Sequence, residues 1–129
     1  VATADAPLAR MFAFALNQLG LRFTLCSSGT EILDRLLRMR VRAVPPLVLL
    51  DLDLPGMDGH AVLERLGVAR PDAFLIIALS SHGDESVQVR SLMAGALDHL
   101  AKPFNIRVLM AKVQRWTSVS IRLANGGSC

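Results

Sequence analysis

Between residues 8 and 19 the apolar side chains Leu8, Met11, Phe12, Ala15, Leu16 and Leu19 recur at steps of three and four. That spacing puts them on one stripe of an α-helix, with Pro7 in its first turn and Gly20 as its stop. The period then drops to two, because Leu21, Phe23 and Leu25 alternate with Arg22, Thr24 and Cys26 as a strand would. Ser28 and Glu31 form a candidate capping box ahead of a second helical stripe, Ile32, Leu33, Leu36 and Leu37. The Arg-rich connection 38–46 is long and is expected to bulge or to extend that helix. Residues 47–50 are apolar without interruption, as are 74–79, and such runs read as strands buried on both faces of a parallel sheet. A shorter strand is expected at 97–101.

Asp58 can cap a helix from Gly59 to about Leu66, and Asp84 or Glu85 can start a fourth that ends near Gly95. Asn105 can cap the last, whose Ile106, Leu109, Met110, Val113 and Trp116 share one stripe. With a first strand at the very start, the chain alternates five strands and five helices. Parallel strands need such crossovers, and their right-handedness makes a three-layer α/β sandwich the expected outcome.

Three of these strands end on a reactive side chain. Asp51 closes the run 47–50, Ser80 follows 74–79, and Lys102-Pro103-Phe104 follows 97–101. In open α/β sheets ligands bind at that carboxyl edge. After Asp51 the chain reads Leu-Asp-Leu-Pro-Gly-Met-Asp-Gly, and Pro55, Gly56 and Gly59 force a tight loop that holds the carboxylate on rigid backbone. A carboxylate nucleophile, a hydroxyl donor and an ammonium at one edge suit phosphoryl transfer.

In this order and spacing, and with Gly-Ala-Leu-Asp-His-Leu-Ala ahead of Lys102, these residues resemble the receiver domain of two-component response regulators, from Val1 to about Trp116. The resemblance implies a flavodoxin-like, doubly wound, five-stranded parallel sheet in a three-layer α/β/α sandwich, with a receiver over 1–118 and a tail or linker over 119–129. It implies that Asp51 is the phosphoacceptor, Lys102 binds the phosphoryl group, Ser80 is the switch hydroxyl, and the Lys102-Pro103 bond is cis. His99 stands where the family carries the Tyr or Phe that moves with the switch. Mg²⁺ is the implied cofactor, with Asp51, Asp53 (backbone carbonyl or side chain) and Asp5 as candidate ligands. The implied partners are a sensor histidine kinase or phosphotransfer protein, and an output domain or partner on the face of the fourth helix, fifth strand and fifth helix, which is also open to a homodimer. Self-phosphorylation and self-dephosphorylation are implied, not turnover of a substrate.

One departure stands out. The family places two adjacent carboxylates at the first strand, and this chain has Thr3-Ala4-Asp5-Ala6-Pro7. Counting back from Gly20 puts Thr3 and Ala4 at the pair, whereas counting from Pro7 puts Ala4 and Asp5 there. At least one carboxylate is missing either way, so a weakened Mg²⁺ site is expected. The alternative reading is a degenerate receiver that works as a phosphorylation-independent interaction module. Asp51-Leu52-Asp53 is also similar to the nucleophile motif of haloacid-dehalogenase-type phosphatases, but those need an acid after the lysine and none follows Asp98.

Composition narrows the picture further. At 129 residues, 52% of them hydrophobic, the chain suits one core. No apolar run approaches the roughly 20 residues that span a bilayer. The start Val-Ala-Thr-Ala-Asp has neither an initiator methionine nor the pattern of a signal peptide, and a shortened first strand is expected. Cys26 and Cys129 give no disulfide framework and no metal-ligand spacing, which fits a reducing cytoplasm. The net charge of +3 arises from 14 basic residues, 12 of them Arg, spread over several helices, so direct nucleic-acid binding by this domain is not expected.

Overall fold

Side chains of the two long apolar runs meet a layer of helices on one face or the other. A computed structural model describes residues 1–41 and 44–126, with side chains through residue 118. Strand β1 (Leu47–Asp51) pairs in parallel with β2 (Leu75–Ser80) from Leu47 opposite Leu75 to Asp51 opposite Leu79. Strand β3 (Asp98–Ala101) joins β2 in parallel, from Asp98 opposite Ile77 to Ala101 opposite Ser80. Val48, Leu50, Ile76 and Ala78 pack with helices α2 (Gly29–Arg38) and α3 (Gly59–Ala69) through Ile32, Leu33, Leu36, Val62, Leu63 and Leu66. Leu49, Ile77 and Leu79 pack on the opposite side with α1 (Ala6–Gln18) and α5 (Ile106–Gly126) through Phe12, Leu16, Leu109 and Val113. The uninterrupted apolar runs are thus the direct cause of the three layers. Helix α4 (Glu85–Met93) lies beside β3, and Ser91 is its one buried side chain.

The two remaining strand positions are single bridges. Ala2 pairs in parallel with Cys26 on one side and Leu50 on the other, giving the order Cys26, Ala2, β1, β2, β3. That is the doubly wound order with its switch point beside β1. The alternation at 21–26 predicts a full strand, whereas Leu25 is exposed and the described pairing is the single Cys26–Ala2 bridge with its flanking bonds. Cys26 N–H donates to the Val1 carbonyl (2.8 Å), Thr3 N–H to the Cys26 carbonyl (3.0 Å), and the Val1 amine to the Thr24 carbonyl (2.9 Å).

Side chains of Ser28 and Asp58 accept the Glu31 and Ala61 amides and so cap α2 and α3 as their positions predict, and Asp5, expected only as a metal ligand, caps α1 by accepting the Leu8 amide. Helix α2 ends at Arg38, and the Arg70 guanidinium donates to the Leu36 carbonyl (2.8 Å) and to that of Met39. With those terminal carbonyls satisfied from outside, α2 stops where the Arg-rich connection begins, and the expected extension does not occur. Residues 42–43 of that connection, and Cys129, lie outside the described residues. Helix α5 continues through residue 126.

Candidate functional site

Register alone carries three chemical groups to one edge. Asp51 is the last residue of β1, Ser80 the last of β2, and Lys102 follows β3 directly, its N–H donating to the Ser80 carbonyl (2.7 Å). Asp51 is only 2% exposed, yet its carboxylate is well supplied with donors. Its Oδ2 accepts from Lys102 Nζ at 2.7 Å and from Thr3 Oγ1 at 2.9 Å, and its Oδ1 accepts the Asp53 amide at 2.9 Å. A buried carboxylate is tolerable only with such a countercharge and bonds.

The loop after β1 sets this geometry. Gly56 has φ +79°, a backbone conformation costly for other residues. Gly59 starts α3 so close to β1 that a Cβ there would lie 2.5 Å from Leu52 Cα. Its N–H bonds the Leu52 carbonyl at 3.1 Å, and the turn folds back over the strand end.

Asp53 is the second acid of the pocket. Its Oδ2 accepts the Ser81 amide at 2.9 Å and lies 3.5 Å from Lys102 Nζ, so one ammonium bridges two carboxylates. Burial works to raise the Asp53 pKa, but the Ser81 bonds and the Lys102 charge outweigh it, and the carboxyl titrates below its ordinary value. Ser80 Oγ accepts the His82 amide at 2.9 Å, which ties the switch candidate to the loop it would move. The Lys102-Pro103 bond is cis, and the Phe104 ring stacks on Phe12 with centroids 6.1 Å apart, which fastens the lysine segment to α1.

The candidates from the sequence fall into two groups. Asp51, Asp53 and Lys102 form one hydrogen-bonded cluster, and Ser80 ends the adjacent strand. His99 sits opposite Ala78 within β3, buried and apart from that cluster's hydrogen bonds. Asp5 uses Oδ1 to cap α1. Two contributors were not legible as such: Thr3, whose hydroxyl touches Asp51, and the Ser81 amide. Thr3 was marked only by standing where an acid was expected.

For a metal, the described residues contain no group of three or more His, Cys, Asp or Glu side chains placed to hold one. Mg²⁺ commonly binds through one or two carboxylates and keeps several waters. Asp51 and Asp53 supply two carboxylates in one pocket, joined by Lys102, so the donor set fits a water-rich Mg²⁺ site and nothing more enclosed.

Comparison with known proteins places this geometry. Residues 4–114 match the family model described as the response regulator receiver domain. The DNA-binding transcriptional regulator NtrC of Klebsiella pneumoniae is 37% identical over 101 residues, which are 78% of this chain and 20% of that protein. The chain therefore spans about a fifth of that relative's length. Sporulation initiation phosphotransferase F of Bacillus subtilis is 34% identical over 100 residues, 78% of this chain and 77% of that protein. The receiver domain of a sensor histidine kinase from Pseudomonas aeruginosa PAO1, solved with a magnesium ion coordinated in its active-site cleft, superposes with a TM-score of 0.70 at 27% identity, over 93% of each chain.

Proposed function

The chain belongs to the response regulator receiver domain family, and from that premise we propose that Asp51 accepts a phosphoryl group from the phosphohistidine of a sensor histidine kinase or phosphotransfer protein. Receiver domains are signalling modules that work with kinases and output domains, not turnover enzymes. The observation that carries the reading is the Lys102 ammonium, 2.7 Å from the buried Asp51 carboxylate at the sheet edge.

In the proposed step an Asp51 oxygen attacks phosphorus, a P–O bond forms, and the P–N bond breaks with its electron pair going to the donor imidazole. Oδ1 suits the attack, because Oδ2 already accepts two donors while Oδ1 accepts the Asp53 amide alone. Lys102 stays with the phosphoryl oxygens as charge spreads over them. Ser80, whose oxygen accepts from His82, retains its own proton to donate to the new group, and that pull would move the loop carrying Ser81 and His82. Mg²⁺, when held by Asp51 and Asp53, supplies further positive charge, with Asp5 a weaker candidate because Oδ1 caps α1.

The signal would leave by the face of α4, β3 and α5, toward an output domain, another partner or a second copy of the chain. We take residues 1–118 as the receiver unit and 119–129 as tail or linker. No helix of the described residues is long and apolar enough to cross a membrane. A cytoplasmic setting without direct nucleic-acid or membrane contact goes with this reading, and the free thiol of Cys26 agrees with it.

Thr3 at the pocket supports a second reading, an interaction module that has given up phosphorylation, because a neutral hydroxyl occupies a place next to Asp51 where charge would recruit a metal. Acetyl phosphate with Mg²⁺ separates the two. The wild type should acquire one hydroxylamine-labile phosphoryl group, seen by intact mass, and Asp51→Asn none. Equal labelling of Asp51→Asn would move the acceptor elsewhere, and an unlabelled wild type would favour the interaction module.

A further inference from the structure

Outside the phosphoryl pocket, two histidines bury ring nitrogens that have nothing to bond. His60 stands in the first turn of α3 and His99 in β3, and His60 Nδ1 and His99 Nε2 are both buried without a hydrogen-bond partner. His99 as a whole is 6% exposed. An unpartnered buried imidazole nitrogen is tolerated when the ring is neutral and becomes far more costly when it is charged.

The surroundings have been assembled from three elements. Arg90 of α4 and His99 of β3 oppose a charge on His60, while Asp58 at the α3 cap and Glu64 of α3 favour it. Asp98 of β3 and Asp84 at the start of α4 favour a charge on His99. Burial is the largest influence on both rings and outweighs these acids, so each titrates below its ordinary value. Asp98 is also partly engaged by Lys112 of α5, and Glu64 by Arg90 at 3.2 Å.

Helix α4, whose Arg90 acts on His60, is lightly held. Helix α4 buries only Ser91, leaves Val89, Leu92 and Met93 exposed, and is tied to α3 by the exposed Arg90–Glu64 pair. Few buried contacts mark a segment that opens at low free-energy cost.

We propose that His60 and His99 form a proton-operated latch beneath α4, holding it against α3 and β3 while both rings are neutral and releasing it when either is protonated, with no phosphoryl group required. The sign follows from linkage. Groups with a depressed pKa in the packed state bind protons more readily in the released state, so the packed state loses population as pH falls below about 6.5. Each unit of depression in one ring is worth about tenfold in that equilibrium. This window lies above the one in which Asp53 titrates, because that carboxyl is held below its ordinary range, so the two effects do not overlap.

Hydrogen–deuterium exchange of the α4 amides, corrected for intrinsic rates and run without phosphodonor at about pH 7.5 and about pH 5, tests the latch. Wild-type protection should fall at least about tenfold on acidification. The double variant His60→Leu, His99→Phe should lose less than about threefold. Should that variant not fold, the ring proton shifts of the wild type decide by themselves, since both imidazoles should titrate below about 6.5 with the α4 amide shifts following the same midpoint. Equal loss of protection in the wild type and the double variant, or ring midpoints at or above about 6.5 with α4 unchanged, would overturn the proposal.

Discussion

Replacing Lys102 with alanine is expected to destabilise the unphosphorylated protein by about 3 kcal/mol and to slow acetyl phosphate labelling by about 100-fold. The stability loss comes from Asp51, which is 2% exposed and would keep a buried charge without its cation, whereas Lys102 itself is 20% exposed and gives up little by leaving. Breaking a buried pair from one side leaves the other charge uncompensated, and that penalty is what denaturant unfolding would read. Asp51→Asn in the same background should return much of the loss, because the charge needing a partner is gone. A double-mutant cycle thus measures the coupling directly, and additive losses would show that Thr3 and the Asp53 amide already satisfy Asp51. The rate loss has a separate origin: in the proposed transfer, Lys102 would hold its charge against the transferred oxygens.

Thr3→Asp is expected to tighten Mg²⁺ binding by about tenfold or more, measured by calorimetry, and to lower thermal stability in chelator. Thr3 Oγ1 lies 2.9 Å from Asp51 Oδ2, so a carboxylate at position 3 would add an oxygen donor beside Asp51. Without metal, the same carboxylate would face Asp51 as a like charge in a buried pocket and would also lose the hydroxyl's bond. The variant should therefore show a larger Mg²⁺-dependent rise in melting temperature than the wild type. Ala4 is exposed, and an aspartate there should change affinity less. Unchanged affinity in Thr3→Asp would mean that Asp51 and Asp53 alone determine how tightly the metal is held.

The layers and the site were legible in the sequence to different depths. The runs 47–50 and 74–79 are apolar at every position, and only a sheet covered on both faces explains that, so α/β layering could be read directly. Asp51, Ser80 and Lys102 could be placed together because each ends or directly follows a strand and parallel strands share an edge. The alternation at 21–26 placed that segment beside the first strand position, where the structure gives it one bridge, Cys26 to Ala2, and not a full ladder. The end of α2 depends on Arg70, more than thirty residues downstream, whose donation to the Leu36 carbonyl no local pattern reveals. Thr3 could be counted into two registers from sequence, and the Ala2 bridges to Cys26 and Leu50 decide which side chain meets Asp51. The orphaned nitrogens of His60 and His99 arise from packing between α3, α4 and β3, and sequence alone offered His99 only as a replacement for an aromatic.

A phosphoryl group on Asp51 is expected to draw Ser80 and thereby to move the loop that Ser80 and Asp53 anchor through the His82 and Ser81 amides. Beryllofluoride mimics that group without turnover, and hydrogen–deuterium exchange at pH 7.5 reads the loop. Binding should change protection of the 81–84 amides and of β3 in the wild type, and Ser80→Ala should bind the mimic while losing most of the change. A wild type that binds beryllofluoride at Asp51 with no change in either segment would show that the phosphoryl group does not act through Ser80.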